Sequence, residues 1–146
     1  MLYLLFAIVS GIGLVASAVC HILSWLSVDV PSAAFVLHVA IFAIWLPLIH
    51  FANRTKPKTG RGNVDHLLAE LPSWVNVAVG VALAYAILNF AWFMFASSQF
   101  PKNGVPKYVE LRGFSGHWMM FYGWGLAGFA GLARREQRIA KASPWL

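Results

Sequence analysis

Four long stretches of this 146-residue chain contain no Asp, Glu, Lys or Arg: residues 2–27, 33–52, 74–97 and 114–133. Each is long enough to cross a bilayer core about 30 Å thick, which takes roughly 20 residues of helix. Backbone amides in lipid must be paired within their own segment, so each stretch should be helical. The sequence therefore predicts an all-α fold, with residues 1–146 forming a single integral membrane domain built as an antiparallel bundle of four transmembrane helices.

The composition excludes several other classes of protein. The chain is 60% hydrophobic and 11% charged, whereas soluble domains carry roughly 25% charged residues. A single cysteine, Cys20, excludes a disulfide-stapled secreted module. The net charge of +6 does not indicate a nucleic-acid partner, because the basic residues flank the predicted spans.

The positions of the basic residues predict the orientation of the chain. Eight Lys and Arg residues lie in 53–73 and after residue 133, against three in 98–113. Since basic loops stay on the cytoplasmic side, both termini should be cytoplasmic, in a bacterial-type inner membrane. Residues 64–71 should form a short helix in the inner interface. A cleaved signal peptide is the alternative for the first span, although no Lys or Arg precedes residue 54.

Histidine is the side chain in the predicted spans that can become charged near neutral pH. At 1.5 Å of helical rise per residue, the histidines near the outer ends of three spans lie within roughly 4–12 Å of the outer boundary. Asn89 of the remaining span lies at similar depth, and Tyr85 lies one turn deeper. This layer predicts a polar pocket whose candidate cofactor-binding residues are His21, His38, His117, Asn89 and Tyr85.

Three interpretations of this histidine layer remain open. The histidines could hydrogen-bond to one another and to Asn89, setting the helix register without a ligand. His21 and His38 could instead bind a b-type haem for electron transfer, or form a transition-metal site together with His117. Finally, the layer could bind a small, quinone-like amphipathic ligand through a carbonyl group. No residue pattern identifies a catalytic residue.

The principal functional prediction is a non-catalytic accessory or assembly subunit of a membrane complex. Few residues lie outside the predicted spans, and the aromatic side chains are abundant. The expected partners are the lipid bilayer and other membrane subunits, or a second copy of the chain. At the start of the fourth span, Ser115 is expected to cap the helix and Gly116 to allow close approach.

Overall fold

The computed structural model describes residues 1–28, 30–55, 65–101 and 104–142. Five α-helices occur in these ranges, and a 3₁₀ turn at Ser32–Phe35 precedes the second helix. The α-helices are α1 Leu2–Trp25, α2 Val36–Thr55, α3 Asp65–Leu68, α4 Ser73–Ser98 and α5 Lys107–Ala142. None of the described residues lies in a β-strand, and the four long helices pack together. The all-α prediction is therefore confirmed.

Three of the described helical segments are long and apolar enough to cross a membrane: Leu2–Trp25, Ser32–Thr55 and Ser73–Ser98. Their outward-facing side chains are large and apolar; Leu88, for example, is 70% exposed. Such a surface suits contact with lipid, since soluble proteins rarely expose large continuous apolar patches. The chain is a small membrane protein with three candidate transmembrane helices.

Helix α5 is the central element of the bundle. It is 36 residues long and packs against α1, α2, α3 and α4, whereas α1 and α2 make few contacts with each other. Fourteen residues of α5 are buried, against seven on α1, four on α2 and three on α4. The three apolar helices therefore surround the less apolar one, so that α5 is shielded from the surroundings by its neighbours.

The start of α5 differs from the prediction. The helix begins at Lys107, after Pro106, whose carbonyl accepts hydrogen bonds from Val109 N at 2.9 Å and Glu110 N at 3.3 Å. Proline suits a helix start, because its ring presets φ and the missing N–H is not needed there. The prediction that Ser115 caps the helix is wrong, since Ser115 lies eight residues inside α5 and is fully buried.

Small residues allow α1 to approach α5 closely. A Cβ atom at Gly13 would collide with the ring of Tyr122. The Tyr122 hydroxyl in turn donates to the carbonyl of Leu37 on α2 at 2.9 Å. A single side chain of α5 thus passes beneath α1 and reaches α2. Close contact at small residues is the usual packing mode of helices in membranes.

The connection between α2 and α4 forms only one short helix among its described residues. α3 spans Asp65–Leu68, which is shorter than the predicted 64–71, and residue 64 lies outside the described residues. Leu67 is fully buried against α5, and Glu70 forms an ion pair with Arg138 at 2.6 Å. Lys56, Lys58, Arg61 and Lys102, which enter the charge comparison used for orientation, also lie outside the described residues.

Candidate functional site

His21 is the centre of a hydrogen-bond network joining α1, α4 and α5. Its side chain is buried, with 7% of the residue exposed. Nδ1 lies 2.8 Å from the Ser115 hydroxyl on α5, and Nε2 accepts from the Trp25 indole N–H at 3.0 Å. The hydroxyl of Tyr85 on α4 also hydrogen-bonds to Nε2. One imidazole thus connects three helices at the same level of the bundle.

The partners of His21 determine which ring nitrogen carries the proton. An indole N–H can only donate, so Nε2 must present its lone pair to Trp25. Nδ1 therefore carries the proton and donates to Ser115, whose hydroxyl donates to the Arg112 carbonyl at 3.3 Å. A neutral imidazole nitrogen offers one lone pair, yet both Trp25 and Tyr85 face it. The network consequently contains one more donor than His21 requires.

Arg112 lies beside this network, held between two indole rings. Its guanidinium carbon is 3.1 Å from the centroid of Trp25 and 3.7 Å from that of Trp92. Both faces of the guanidinium plane are covered in this cation–π arrangement. Its Nε is buried without a hydrogen-bond partner in the described part of the chain. Trp25 serves both groups, because its N–H bonds to His21 while its ring stacks on Arg112.

Asn89 fastens α4 to α5 at the same end of the bundle. Its Nδ2 donates to the carbonyls of Arg112 at 2.7 Å and Gly113 at 3.2 Å. A Cβ at Gly116 would collide with the Asn89 side chain, so the glycine makes this contact possible. The expected close approach at Gly116 is thereby explained, and Asn89 joins the His21 network through the Arg112 carbonyl that Ser115 also uses.

His38 and His117 have other partners. His38 is exposed and accepts from the Trp118 indole N–H at 3.1 Å. His117 donates through Nδ1 to the Gly113 carbonyl at 3.0 Å, and its ring packs edge-on against Phe90. Neither ring hydrogen-bonds to His21. Within the described ranges, no group of three or more His, Cys, Asp or Glu side chains could hold a metal ion.

An apolar groove runs between α4 and α5, next to Tyr85. Its volume is about 700 Å³, within the range of small-molecule sites. Tyr85 and Gly116 line one end, whereas Trp74 and Arg134 line the other. The walls between the two ends are formed by small and apolar side chains, among them Leu14, Ala78, Val79, Ala82, Met120, Leu126, Ala127 and Ala130.

The groove lies where few residues of α4 are buried against α5. Of the 26 residues of α4, only Val79, Ala86 and Asn89 are buried. On the α5 side, Gly123 lines the groove and has open space where a Cβ would lie. From Gly116 to Ala130 the α5 wall is about 21 Å long at 1.5 Å of rise per residue. That length exceeds one leaflet, which is about half of the 30 Å core.

Three of the five predicted site residues, His21, Tyr85 and Asn89, belong to one network. Sequence reasoning missed the roles of Ser115, Trp25, Arg112 and Trp92. The available signal was the occurrence of Trp25 and Arg112 at predicted span ends, where both residue types are common for other reasons.

Comparison with known proteins gives no precedent for this arrangement. No protein-family model matches the chain, and no similar curated protein or solved structure was found. The functional assignment therefore depends on the residues of the site themselves.

Proposed function

We propose that the protein binds, without catalysing a reaction, an amphipathic ligand in the groove between α4 and α5. The ligand has an apolar chain that lies along the groove and a carbonyl-bearing head group that accepts a hydrogen bond from Tyr85. The observation that carries this proposal is the surplus donor at His21: two donors face one lone pair, and Tyr85 is the one that also lines the groove.

Because His21 has one donor more than it requires, Tyr85 can bind a ligand at little cost in free energy to the hydrogen-bond network. When the Tyr85 hydroxyl turns to a ligand carbonyl, Trp25 continues to donate to His21 Nε2. No buried acceptor is then left without a partner, so the usual penalty for breaking a buried hydrogen bond does not arise. Tyr85 lines the groove and is 39% exposed, so the side chain is not enclosed by the bundle.

The groove contributes shape more than affinity. Lipid tails are as apolar as the groove walls, so moving a chain from lipid into the groove gains little hydrophobic free energy. Discrimination must therefore come from the head group, where a net hydrogen bond contributes about 0.5–1.5 kcal/mol. We expect weak, exchangeable binding that depends on the head group.

The experiment compares ligands retained by detergent-purified variants. Gly123→Leu fills the groove at a position with open space, whereas Gly80→Leu adds the same side chain on α4 where nothing lies within 4 Å and no groove wall is formed. Extraction and mass spectrometry should recover the same amount of one amphipathic compound from wild type and Gly80→Leu, and much less from Gly123→Leu. Equal recovery from both variants would contradict binding in the groove.

The metal or haem alternative for His21, His38 and His117 is tested on the same preparation. Coordination by His21 would require one ring nitrogen to leave Ser115 or the Trp25–Tyr85 pair. A Soret band in the absorption spectrum, or stoichiometric transition metal by elemental analysis, would favour this alternative over the amphipathic ligand.

We further propose that α5 is the fourth membrane crossing, through residues 114–133, with both termini in the cytoplasm of a bacterial-type cell. Support comes from the absence of charged residues in that segment and from the eight basic residues on the predicted inner side against three on the outer. A fluorescent protein fused after Leu146 should fluoresce, because the fusion would fold in the cytoplasm. A dark fusion, with a matching exported reporter active, would reverse the orientation.

In the cell, this ligand-binding bundle is proposed to act as an accessory or assembly subunit. The outer faces of α1, α2 and α4 offer long apolar surfaces to lipid or to other membrane helices. Purification in mild detergent should recover another membrane subunit in a fixed ratio. A chain that runs alone, or only with itself, would count against this role.

A further inference from the structure

Arg112 offers a cation whose orientation is set before any ligand binds. Trp25 from α1 and Trp92 from α4 cover the two faces of its guanidinium. With both faces covered, the guanidinium can bind a partner only through the edge that carries the Nη groups. A planar guanidinium with a fixed edge is suited to bidentate contact with phosphate, and little side-chain freedom is lost on binding.

The described residues provide no carboxylate for this cation. Their two ion pairs join Met1 to Glu136 and Arg138 to Glu70. Glu110, two residues from Arg112 on α5, is turned by about 200° around the helix axis and does not share its face. A cation at the edge of an apolar bundle that has no carboxylate partner among the described residues is complementary to an anion supplied from outside.

On the basis of the proposed function, we propose that the groove ligand is a glycerophospholipid whose phosphate binds to Arg112, whose ester carbonyl accepts from Tyr85, and whose acyl chain fills the groove. The groups of the site follow the same order as those of the lipid. Arg112 lies one helical turn, about 6 Å, beyond Gly116 at the end of the groove. The Tyr85 hydroxyl comes next, and the apolar walls follow.

His21 acts in this site as a positioning residue. Its Nε2 holds the Trp25 indole N–H, and that indole forms one face of the Arg112 clamp. Its Nδ1 bonds to Ser115, which anchors to the Arg112 carbonyl. The buried histidine therefore orients both the clamp and the backbone of the arginine, without itself contacting the phosphate.

Lipid binding to the purified full-length protein, after exchange into lipid-free detergent, tests this assignment. Native mass spectrometry would compare phosphatidylglycerol with diacylglycerol of identical chains, which has the same esters but no phosphate. Wild type should prefer phosphatidylglycerol by about tenfold, since hydrogen bonds to charged groups are the stronger ones. Arg112→Gln should lose that preference while still binding diacylglycerol, which also demonstrates that the variant is folded. Arg112→Lys keeps the positive charge but loses the paired N–H donors of the guanidinium. Its preference for phosphatidylglycerol should therefore lie between those of wild type and Arg112→Gln.

Lys107→Gln is the matched control, because Lys107 is exposed at the same end of α5 and does not line the groove. It should leave the phosphate preference unchanged. Loss of preference in Arg134→Gln but not in Arg112→Gln would overturn the assignment and place the head group at the other end. Stronger binding of a polyprenyl phosphate, unaffected by Tyr85→Phe, would also overturn it, since such a lipid has no ester carbonyl.

Failure of the underlying groove proposal gives a different result. If diacylglycerol binding is the same in Gly123→Leu, Gly80→Leu and wild type, no ligand occupies the groove and both proposals fall. If diacylglycerol binding depends on Gly123 but phosphate confers no preference, the groove ligand stands and the role of Arg112 is wrong. A quinone that competes with diacylglycerol more strongly than phosphatidylglycerol does would support this second outcome.

Discussion

The central helix α5 meets its neighbours α1 and α4 in two different ways. Along α1 the contact is continuous: Ser10, Gly13, Ser17, Cys20, His21 and Ser24 are all buried. The Ser10 and Ser17 hydroxyls donate back to carbonyls of their own helix, so they can be buried in this interface without partners on α5. Along α4 only Val79, Ala86 and Asn89 are buried, and the groove runs beside them.

This difference follows from where small and polar residues occur. On α1 they recur every three or four residues and form one stripe that faces α5, which allows close packing over the whole length. On α4 the polar contacts are made by Tyr85 and Asn89, in the middle and the second half of the helix. The first half of α4 lines the groove with Ala78 and Ala82, opposite a face of α5 that contains Gly123.

The largest expected effect is at the tight interface. Gly13→Ala should destabilise the bundle by about 1–3 kcal/mol, because the new methyl group collides with the ring of Tyr122 and α1 must move away from α5. Thermal unfolding in detergent measures the change. Gly11→Ala is the control, since nothing lies within 4 Å of its Cβ position. Equal melting temperatures for the two variants would show that α1 does not pack as described.

Breaking the hydrogen bonds that Asn89 of α4 makes to α5 should have the next largest effect. Asn89→Ala removes two hydrogen bonds to carbonyls of α5, and polar contacts between membrane helices average about 0.6 kcal/mol each. A loss of about 1 kcal/mol in unfolding free energy is expected. Asn76→Ala, at an exposed position on the same helix, should be neutral. No change in unfolding free energy for Asn89→Ala would mean that these hydrogen bonds do not stabilise the packing of α4 against α5.

Removing the hydroxyl of Tyr122 and of Tyr85 in turn compares how much each hydrogen bond contributes to the unfolding free energy. Tyr122→Phe removes the donor to the Leu37 carbonyl, which joins α5 to α2 beneath Gly13 of α1, and should cost about 0.6 kcal/mol in unfolding free energy. The measurement is again thermal unfolding in detergent. A change smaller than that caused by Tyr85→Phe would contradict this order of the two hydroxyl contacts.

Tyr85→Phe should be the smallest change in stability and yet alter binding. Trp25 alone satisfies His21 Nε2, so we expect the melting temperature to remain close to that of wild type. Retention of the groove ligand should fall several-fold, because the proposed donor to its carbonyl is missing. A large loss of stability would show that the Tyr85 hydroxyl is a structural partner of His21 and not a surplus donor.

Sequence reasoning gives depth along a helix but not direction. The run of uncharged residues and the helical rise predict His21, His38 and His117 at similar depth, and of these only His21 hydrogen-bonds to Tyr85. Depth along a helix follows from counting residues, but the direction in which each ring points depends on how every helix is rotated against its neighbours. His38 and His117 consequently have partners of their own, Trp118 and the Gly113 carbonyl.

The start of α5 illustrates a second source of error. Residues 107–113 contain Lys107, Glu110 and Arg112, so hydropathy assigned them to a loop, whereas helical propensity and the preceding Pro106 continue the helix through them. Hydropathy reports where lipid can be, not where a helix ends. Hydropathy for that reason predicts Ser115 at a helix start, although it lies inside α5 and bonds to His21.

By itself, the sequence determined that this chain is helical and belongs in a membrane, because lipid tolerates neither charged side chains nor unpaired backbone amides. Only the tertiary structure decided that the least apolar long helix is the central one, and that one histidine of three gathers a tyrosine, a serine and a tryptophan. Those outcomes depend on the rotation and spacing of helices, which small residues such as Gly13 and Gly116 set through close contact.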